Sequence, residues 1–120
     1  MQIQILKSKI HRATVTEASL DYEGSLTIDS ELMNLTGLVP HERILVSNLA
    51  NGERFETYAI PGKPSSGEII LNGATAHLGQ TGDRLTIMSF AWIDSPRASS
   101  WSPKILTLGE RNAVASRRGC

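Results

Sequence analysis

The chain is poor in several of the residues on which whole classes of protein depend. Its single cysteine is Cys120, the last of 120 residues, so neither an internal disulfide nor a cysteine-based zinc cluster can form. Tryptophan, tyrosine and phenylalanine occur only twice each, which leaves few rings on which nucleic-acid bases would stack. Twelve Lys and Arg residues balance twelve Asp and Glu residues, so no net field steers the protein toward nucleic acid.

Long apolar runs are absent as well. The first residues, MQIQILK, lack the apolar stretch of a secretory signal, and no run approaches the roughly 18 apolar residues that cross a membrane. We therefore expect a cytoplasmic protein without a membrane partner. A net charge of zero leaves little repulsion between copies, which permits self-association.

The common metal and cofactor motifs are also missing. His11, His41 and His77 have no second His or Cys at the short spacings that metal sites use, so no metal is expected. The chain contains no phosphate-binding glycine loop and no serine-hydrolase elbow. Any catalytic chemistry must therefore come from residues outside these motifs.

The distribution of apolar residues predicts a mainly β domain. Alternation and turn residues indicate strands at residues 11–16, 25–28, 44–49, 54–60, 68–71, 84–91 and 105–108. A short helix at residues 31–35 is capped by Asp29 or Ser30 and ends at Gly37, and residues 73–78 form a short turn or helix. Several short strands with one or two short helices are typical of a small β barrel. We expect one domain at residues 1–110 and a polar, disordered tail at residues 111–120.

An Asn-Gly pair at residues 51–52 separates two of these strands. Asn-Gly between alternating apolar residues is the strongest short-range signal for a β-hairpin. Alternation along the second arm places Arg54 and Tyr58 on one face of the hairpin and Thr57 on the other.

The dipeptide Gly24-Ser25 gains meaning from its surroundings. Alone, such a dipeptide is most often a turn. Here it belongs to a set of four segments that match in order and spacing, from about residue 7 to about residue 105. Together they resemble the pyruvoyl-dependent aspartate 1-decarboxylase family: residues 9–16 (KIHRATVT), 22–25 (YEGS), 51–58 (NGERFETY) and 72–77 (NGATAH).

The resemblance implies a double-psi β barrel that assembles as a homotetramer, with active sites between subunits. It also implies that the chain cuts its own backbone between Gly24 and Ser25, giving a β chain of residues 1–24 and an α chain of residues 25–120. Ser25 would become a covalent pyruvoyl group, without a metal or pyridoxal phosphate, and the Thr57 hydroxyl would assist the cleavage. We expect Gly24 to adopt a strained or left-handed conformation that exposes its carbonyl to the Ser25 hydroxyl.

The implied reaction is the decarboxylation of L-aspartate to β-alanine and CO2 for pantothenate biosynthesis, which makes the protein a carboxy-lyase. The pyruvoyl ketone would form a Schiff base with the substrate and act as an electron sink. By resemblance, Arg54 and Lys9 bind the substrate, and Tyr58 donates a proton to the carbanion. Because a salt bridge to the departing α-carboxylate would stabilise the ground state, we hypothesise that Arg54 binds the β-carboxylate.

Further site residues follow from the same resemblance. Backbone donors of Gly73, Ala74 and Thr75 would contact the substrate, as would Thr57. Three second-rank residues would orient the cleavage loop or line the pocket: His11, Tyr22 and Asn72.

Two residues depart from the family pattern. Glu56 stands where the family often has Ser, and an acid beside Arg54 would weaken aspartate binding if it points into the pocket. Thr75 stands where Ala is usual, which adds a hydroxyl near the substrate and bears on substrate preference. The alternative function is a non-processing β-barrel binding module or inactive homologue. A maturation helper protein is a further expected partner of the enzyme.

Overall fold

The mainly β prediction is confirmed by the computed structural model, which describes residues 1–120. The nine strands are β1 (Gln2–Thr14), β2 (Glu17–Ser19), β3 (Ser25–Asp29), β4 (Arg43–Asn48), β5 (Arg54–Gly62), β6 (Ile69–Asn72), β7 (Arg84–Asp94), β8 (Lys104–Leu108) and β9 (Val114–Arg118). The single α-helix is α1 (Ser30–Thr36), and 3-10 turns cover Gly73–His77, Ser95–Ser100 and Glu110–Asn112. None of the helices is long and apolar enough to cross a membrane.

The strands form one mixed sheet in the order β2-β6-β3-β5-β4-β7-β1-β8-β9. Strand β3 pairs antiparallel with β6 and parallel with β5, whereas β1 pairs antiparallel with β7 and parallel with β8. The core is a cluster of 17 buried apolar residues drawn from both halves of the sheet, including Ile10, Leu26, Ile87 and Leu106. The double-psi topology itself stays a prediction of the family resemblance.

The predicted hairpin is confirmed in its register. Strands β4 and β5 pair antiparallel, with Arg43 opposite Tyr58 and Ile44 opposite Thr57. Gly52 in the connecting turn has a φ of +76°, a left-handed conformation that glycine adopts without steric cost. Arg54 is exposed, whereas Tyr58 is half-buried on the same side of the strand.

The predicted short helix is confirmed together with both of its caps. The Asp29 carboxylate accepts a hydrogen bond from the Glu31 backbone N–H at 2.9 Å, and Gly37 ends the helix with a φ of +75°. Asp29 also accepts from the backbone N–H groups of Ser65 (3.0 Å) and Gly67 (2.8 Å). One buried carboxylate therefore starts the helix and holds the loop between β5 and β6.

The prediction of a disordered tail is wrong for residues 114–118, which form β9 and pair antiparallel with β8. Asn112 fixes the approach to this strand, because its side chain accepts from the Thr14 N–H at 2.8 Å and donates to the carbonyls of Thr14 (2.9 Å) and Gly67 (2.8 Å). All five side chains of β9 are exposed, so the strand has no apolar alternation to indicate it.

Candidate active site

Ser25 is the first residue of β3 and is almost completely buried, with 1% of its surface exposed. Its cross-strand partner in β6 is Asn72. The Asn72 side-chain amide donates one hydrogen bond to the Ser25 hydroxyl at 3.0 Å and another to the Thr27 hydroxyl at 2.9 Å. Because Asn72 donates, the hydroxyl hydrogen of Ser25 stays free for another acceptor, and the Glu23 carbonyl lies 3.4 Å away.

Gly73 makes the closest approach to the segment that precedes Ser25. A Cβ placed on Gly73 would lie 2.8 Å from three backbone atoms, the Cα and N of Gly24 and the carbonyl oxygen of Tyr22. Gly73 also has a φ of +62°. Both the conformation and the space at this position therefore require glycine.

Gly24 does not behave as the sequence analysis predicts. It is exposed and does not have a positive φ, and a Cβ placed on it would meet nothing within 4 Å. The expectation of a left-handed Gly24 is therefore wrong. The close approach is made by the turn that follows β6, so the need for a left-handed glycine falls on Gly73 rather than on Gly24.

The hydroxyl that Thr75 has in place of the usual alanine makes its contacts within the chain. This buried hydroxyl donates to the Asn72 carbonyl at 2.7 Å and lies 3.4 Å from the Ser25 carbonyl. A hydroxyl has one hydrogen, so the shorter contact holds it and closes the turn behind Asn72. Ala74 beside it is exposed.

Thr57 and Tyr58 lie within β5, beside the start of β3. The parallel register of β3 and β5 sets Leu26 beside Ala59, so Ser25 and Tyr58 are the preceding residues on the two strands. The ring of His41 lies beside that of Tyr58, with centroids 6.1 Å apart and planes tilted by 39°.

Lys9 and Arg54 share one face of the sheet but are separated along it. Cross-strand pairs connect the two residues along two adjacent rows. The first row runs from β1 through β7 and β4 to β5 (Lys9-Met88-Leu45-Glu56), and the second runs from β7 through β4 to β5 (Thr86-Ser47-Arg54). Three strand spacings of roughly 4.8 Å place β1 and β5 about 14 Å apart. Within one chain, Lys9 and Arg54 therefore lie on strands that are separated by β7 and β4.

The other polar residues on this face already have partners. The Arg54 Nε donates to the Ser47 hydroxyl at 3.1 Å, and His11 Nδ1 lies 3.3 Å from the Thr86 hydroxyl. Burial lowers the pKa of His11, and the charges of Lys9 and Arg12 lower it further. His11 is therefore neutral at pH 7.

Glu56 shares this face with Arg54 and forms an ion pair with Arg43. The hydrogen bond to Glu56 raises the pKa of Arg43 above its ordinary value. Both side chains are mostly exposed, so the pair is solvated. Arg43 thus partly neutralises the carboxylate that departs from the family pattern.

The structure brings together one part of the predicted site and leaves another part apart. Around the Gly24–Ser25 bond it gathers Tyr22, Asn72, Gly73 and Thr75, with Thr57 and Tyr58 on the neighbouring strand. Lys9, His11 and Arg54 lie on the open sheet face instead. No group of three or more His, Cys, Asp or Glu side chains forms a metal-binding cluster.

Two neighbours of the site, Thr27 and His41, are not among the residues predicted from the sequence. Thr27 lies two residues after Ser25, so strand alternation places both hydroxyls on one face and provides a signal that was available. The sequence provides no comparable signal for His41, because its contact with Tyr58 depends on the loop before β4.

The chain is mainly β, has a buried serine at the start of β3 and contains the four quoted segments. Comparison with known proteins identifies the class of protein that these features define. The family model described as Aspartate decarboxylase matches residues 1–115. The chain belongs to this family.

The sequences of individual relatives align with nearly the whole chain. Aspartate 1-decarboxylase from Carboxydothermus hydrogenoformans is 48% identical over 95% of this chain and 90% of its own. The proteins of the same name from Caldicellulosiruptor saccharolyticus and Chlorobium chlorochromatii are each 50% identical, over 95% and 98% of this chain and 89% and 91% of their own.

Proposed function

We propose that this chain is a cytoplasmic carboxy-lyase that converts L-aspartate to β-alanine and CO2 for pantothenate biosynthesis, after cleaving itself between Gly24 and Ser25. The observation that carries the proposal is the buried Ser25 hydroxyl, held at 3.0 Å by Asn72 and directly preceded by an open glycine. The proposed reaction is supported by the family match over residues 1–115 and by the relatives named Aspartate 1-decarboxylase.

The proposed self-cleavage starts from the Ser25 hydroxyl and the Gly24 carbonyl. The Ser25 oxygen attacks the Gly24 carbonyl carbon, the C–N bond breaks, and the Ser25 nitrogen takes the hydroxyl proton, which leaves an ester. Loss of the Ser25 α-proton then expels the Gly24 carboxylate. Addition of water and release of ammonia leave a ketone at residue 25. The Thr57 hydroxyl assists by donating a hydrogen bond to the oxyanion formed at Gly24.

The surroundings of Ser25 fit the small pyruvoyl group that this cleavage would leave. The Asn72 amide, which donates to the Ser25 hydroxyl at 3.0 Å, lies beside residue 25 as a hydrogen-bond donor, and a Cβ placed on Gly24 would meet nothing within 4 Å. The pyruvoyl group supplies a ketone that withdraws electrons from the substrate carbon while CO2 leaves.

Residues of the chain bind and protonate the substrate. Arg54 holds the β-carboxylate of aspartate, and Lys9 adds a second positive charge. The α-carboxylate is left without a guanidinium partner, which avoids stabilising the ground state. Tyr58 then donates its phenolic proton to the substrate carbon, and backbone N–H groups of residues 73–75 and the Thr57 hydroxyl orient the substrate.

We further propose that the chain acts as a homotetramer with sites completed between subunits. The strands that carry Lys9 and Arg54 lie about 14 Å apart within one chain, which supports this. A neighbouring copy that presents the same face would bring one subunit's cation toward another subunit's Ser25.

Intact mass and denaturing electrophoresis test the proposal directly. The purified chain should separate into residues 1–24 and 25–120, with the larger piece reacting as a ketone toward hydrazines, and should release β-alanine from L-aspartate. Ser25→Ala should abolish both cleavage and activity. A chain that stays intact after prolonged warming, also with cell extract as a source of a helper protein, would favour the non-processing binding module.

Tyr58→Phe separates the two reactions. This variant should cleave like the unmodified chain, because the Tyr58 hydroxyl is not used in cleavage, and its kcat should fall. A fully active Tyr58→Phe variant would assign the proton donor to another residue.

A further inference from the structure

Gly73 is the left-handed glycine whose turn packs against the segment that precedes Ser25. Its missing Cβ would lie 2.8 Å from the Cα and N of Gly24, and real Cβ atoms do not approach backbone atoms so closely. Gly52 and Gly82 also have positive φ values, yet a Cβ on either would meet nothing within 4 Å. Left-handed backbone strain and close contact are therefore separable within this chain.

Two of the three atoms that a Cβ on Gly73 would meet belong to Gly24, the residue whose carbonyl is attacked, and the third is the carbonyl oxygen of Tyr22. They are backbone atoms, so they cannot rotate away as the end of a flexible side chain would. The residue before Gly73 is Asn72, which holds the attacking Ser25 oxygen at 3.0 Å. Two consecutive residues thus fix the two partners of the cleavage reaction, Asn72 the nucleophile and Gly73 the residue that carries the electrophile.

We propose that Gly73 is a positioning residue for self-cleavage, a role that rests on the proposed function. By having no side chain, Gly73 lets its turn lie directly against Gly24 and keeps the Gly24 carbonyl within reach of the Ser25 oxygen. Attack requires the reacting atoms to be about 3 to 3.5 Å apart, and a misplacement of about 1 Å lowers a rate by roughly 100-fold. A Cβ at residue 73 would move the segment 22–24 by a distance of that order.

Gly73→Ala tests the proposal, with Gly52→Ala as the matched control. Both variants place alanine at a left-handed position, but only the first introduces a contact with the cleavage segment. Cleavage is followed by electrophoresis without aspartate, at a temperature well below each variant's measured Tm, so that substrate binding and unfolding do not contribute. Gly73→Ala should cleave at least tenfold more slowly than the unmodified chain, and Gly52→Ala within twofold of it.

Gly73→Asn separates the contact from the backbone strain and carries the test if Gly73→Ala does not fold. Asparagine tolerates a positive φ better than alanine but brings the same Cβ. Cleavage that stays slow in Gly73→Asn supports the steric role, whereas a rate within twofold of the unmodified chain in a folded Gly73 variant overturns it. If the unmodified chain itself does not cleave, the proposed function fails, and that outcome is distinct from a failure at Gly73.

Discussion

Asn72 forms buried hydrogen bonds through both its side chain and its backbone. Its amide donates to the hydroxyls of Ser25 and Thr27, and its backbone carbonyl accepts from Thr75 at 2.7 Å. Because all four residues are buried, water cannot replace these hydrogen bonds without opening the structure. The position of the Ser25 hydroxyl oxygen is therefore coupled to the packing of β3 against β6.

Asn72→Ala should both slow cleavage and destabilise the fold. Removing the amide leaves two buried hydroxyls without their donor, at a cost of about 1 to 3 kcal/mol in the free energy of unfolding. We expect cleavage to slow at least tenfold, measured as the rate at which the intact band disappears. Thr27→Val is the control, because it removes the second hydroxyl and leaves the bond to Ser25; a Thr27→Val variant as slow as Asn72→Ala would deny the special role of that bond.

His11 makes stability depend on pH in a defined direction. Its pKa is lowered in the folded chain by burial and by the charges of Lys9 and Arg12, so the unfolded chain takes up its proton at a higher pH. The contribution of His11 is therefore complete above the unfolded pKa of about 6.5 and is lost as the pH falls below it.

His11→Gln should remove this part of the pH dependence. Urea midpoints measured between pH 7.5 and pH 5.5 should fall less in the variant than in the unmodified chain. An equal fall in both would show that His11 titrates alike in the folded and unfolded chains.

At the scale of secondary structure, the elements that are determined by residues close together in the chain can be predicted from the sequence, and the others cannot. The hairpin around residues 51–52 and the helix between Asp29 and Gly37 are each fixed by residues within a few positions of one another. Strand β9 pairs through its backbone alone, and Gly73 contacts residues about fifty positions earlier in the chain. The family resemblance identifies Gly24 and Ser25 as a candidate site, but only the folded chain shows which glycine is sterically required.

The side-chain hydrogen bonds of Asn112 should contribute more to the free energy of unfolding than the strand β9 that follows it. Asn112→Gly keeps the left-handed φ of 59° accessible while it removes three side-chain hydrogen bonds, so we expect a loss of about 3 kcal/mol at ~1 kcal/mol per bond. Deleting residues 114–120 should cost less, because every side chain of β9 is exposed. Urea denaturation of both proteins at one protein concentration checks the order, and a larger loss from the deletion would contradict it.

At the scale of the whole molecule, the groups proposed for cleavage and the groups proposed for substrate binding are distributed differently. Asn72, Gly73 and Thr75 lie around Ser25 within one chain, whereas Lys9 and Arg54 lie apart on an open sheet face. Self-cleavage should therefore need only a folded chain, and decarboxylation should need the assembly.

The apolar residues on β7 provide a way to test this separation. Phe90 and Trp92 are 41% and 64% exposed, and alternation along β7 puts them on the same face as Met88, whose cross-strand partner is Lys9. Large exposed aromatic side chains beside an open substrate face are the surface expected to pack against another copy. The balanced charge of the chain does not oppose such packing.

Phe90→Lys should break the assembly and leave cleavage intact. A buried ammonium without a partner is costly, so the variant should elute at a smaller size in gel filtration and lose at least tenfold in β-alanine formation per cleaved chain. Its cleavage rate should stay within twofold of the unmodified chain. Val114→Lys, at a site of similar exposure (39%) on β9, should change neither size nor activity. A Phe90→Lys variant that is smaller yet fully active would place the complete substrate site within a single chain.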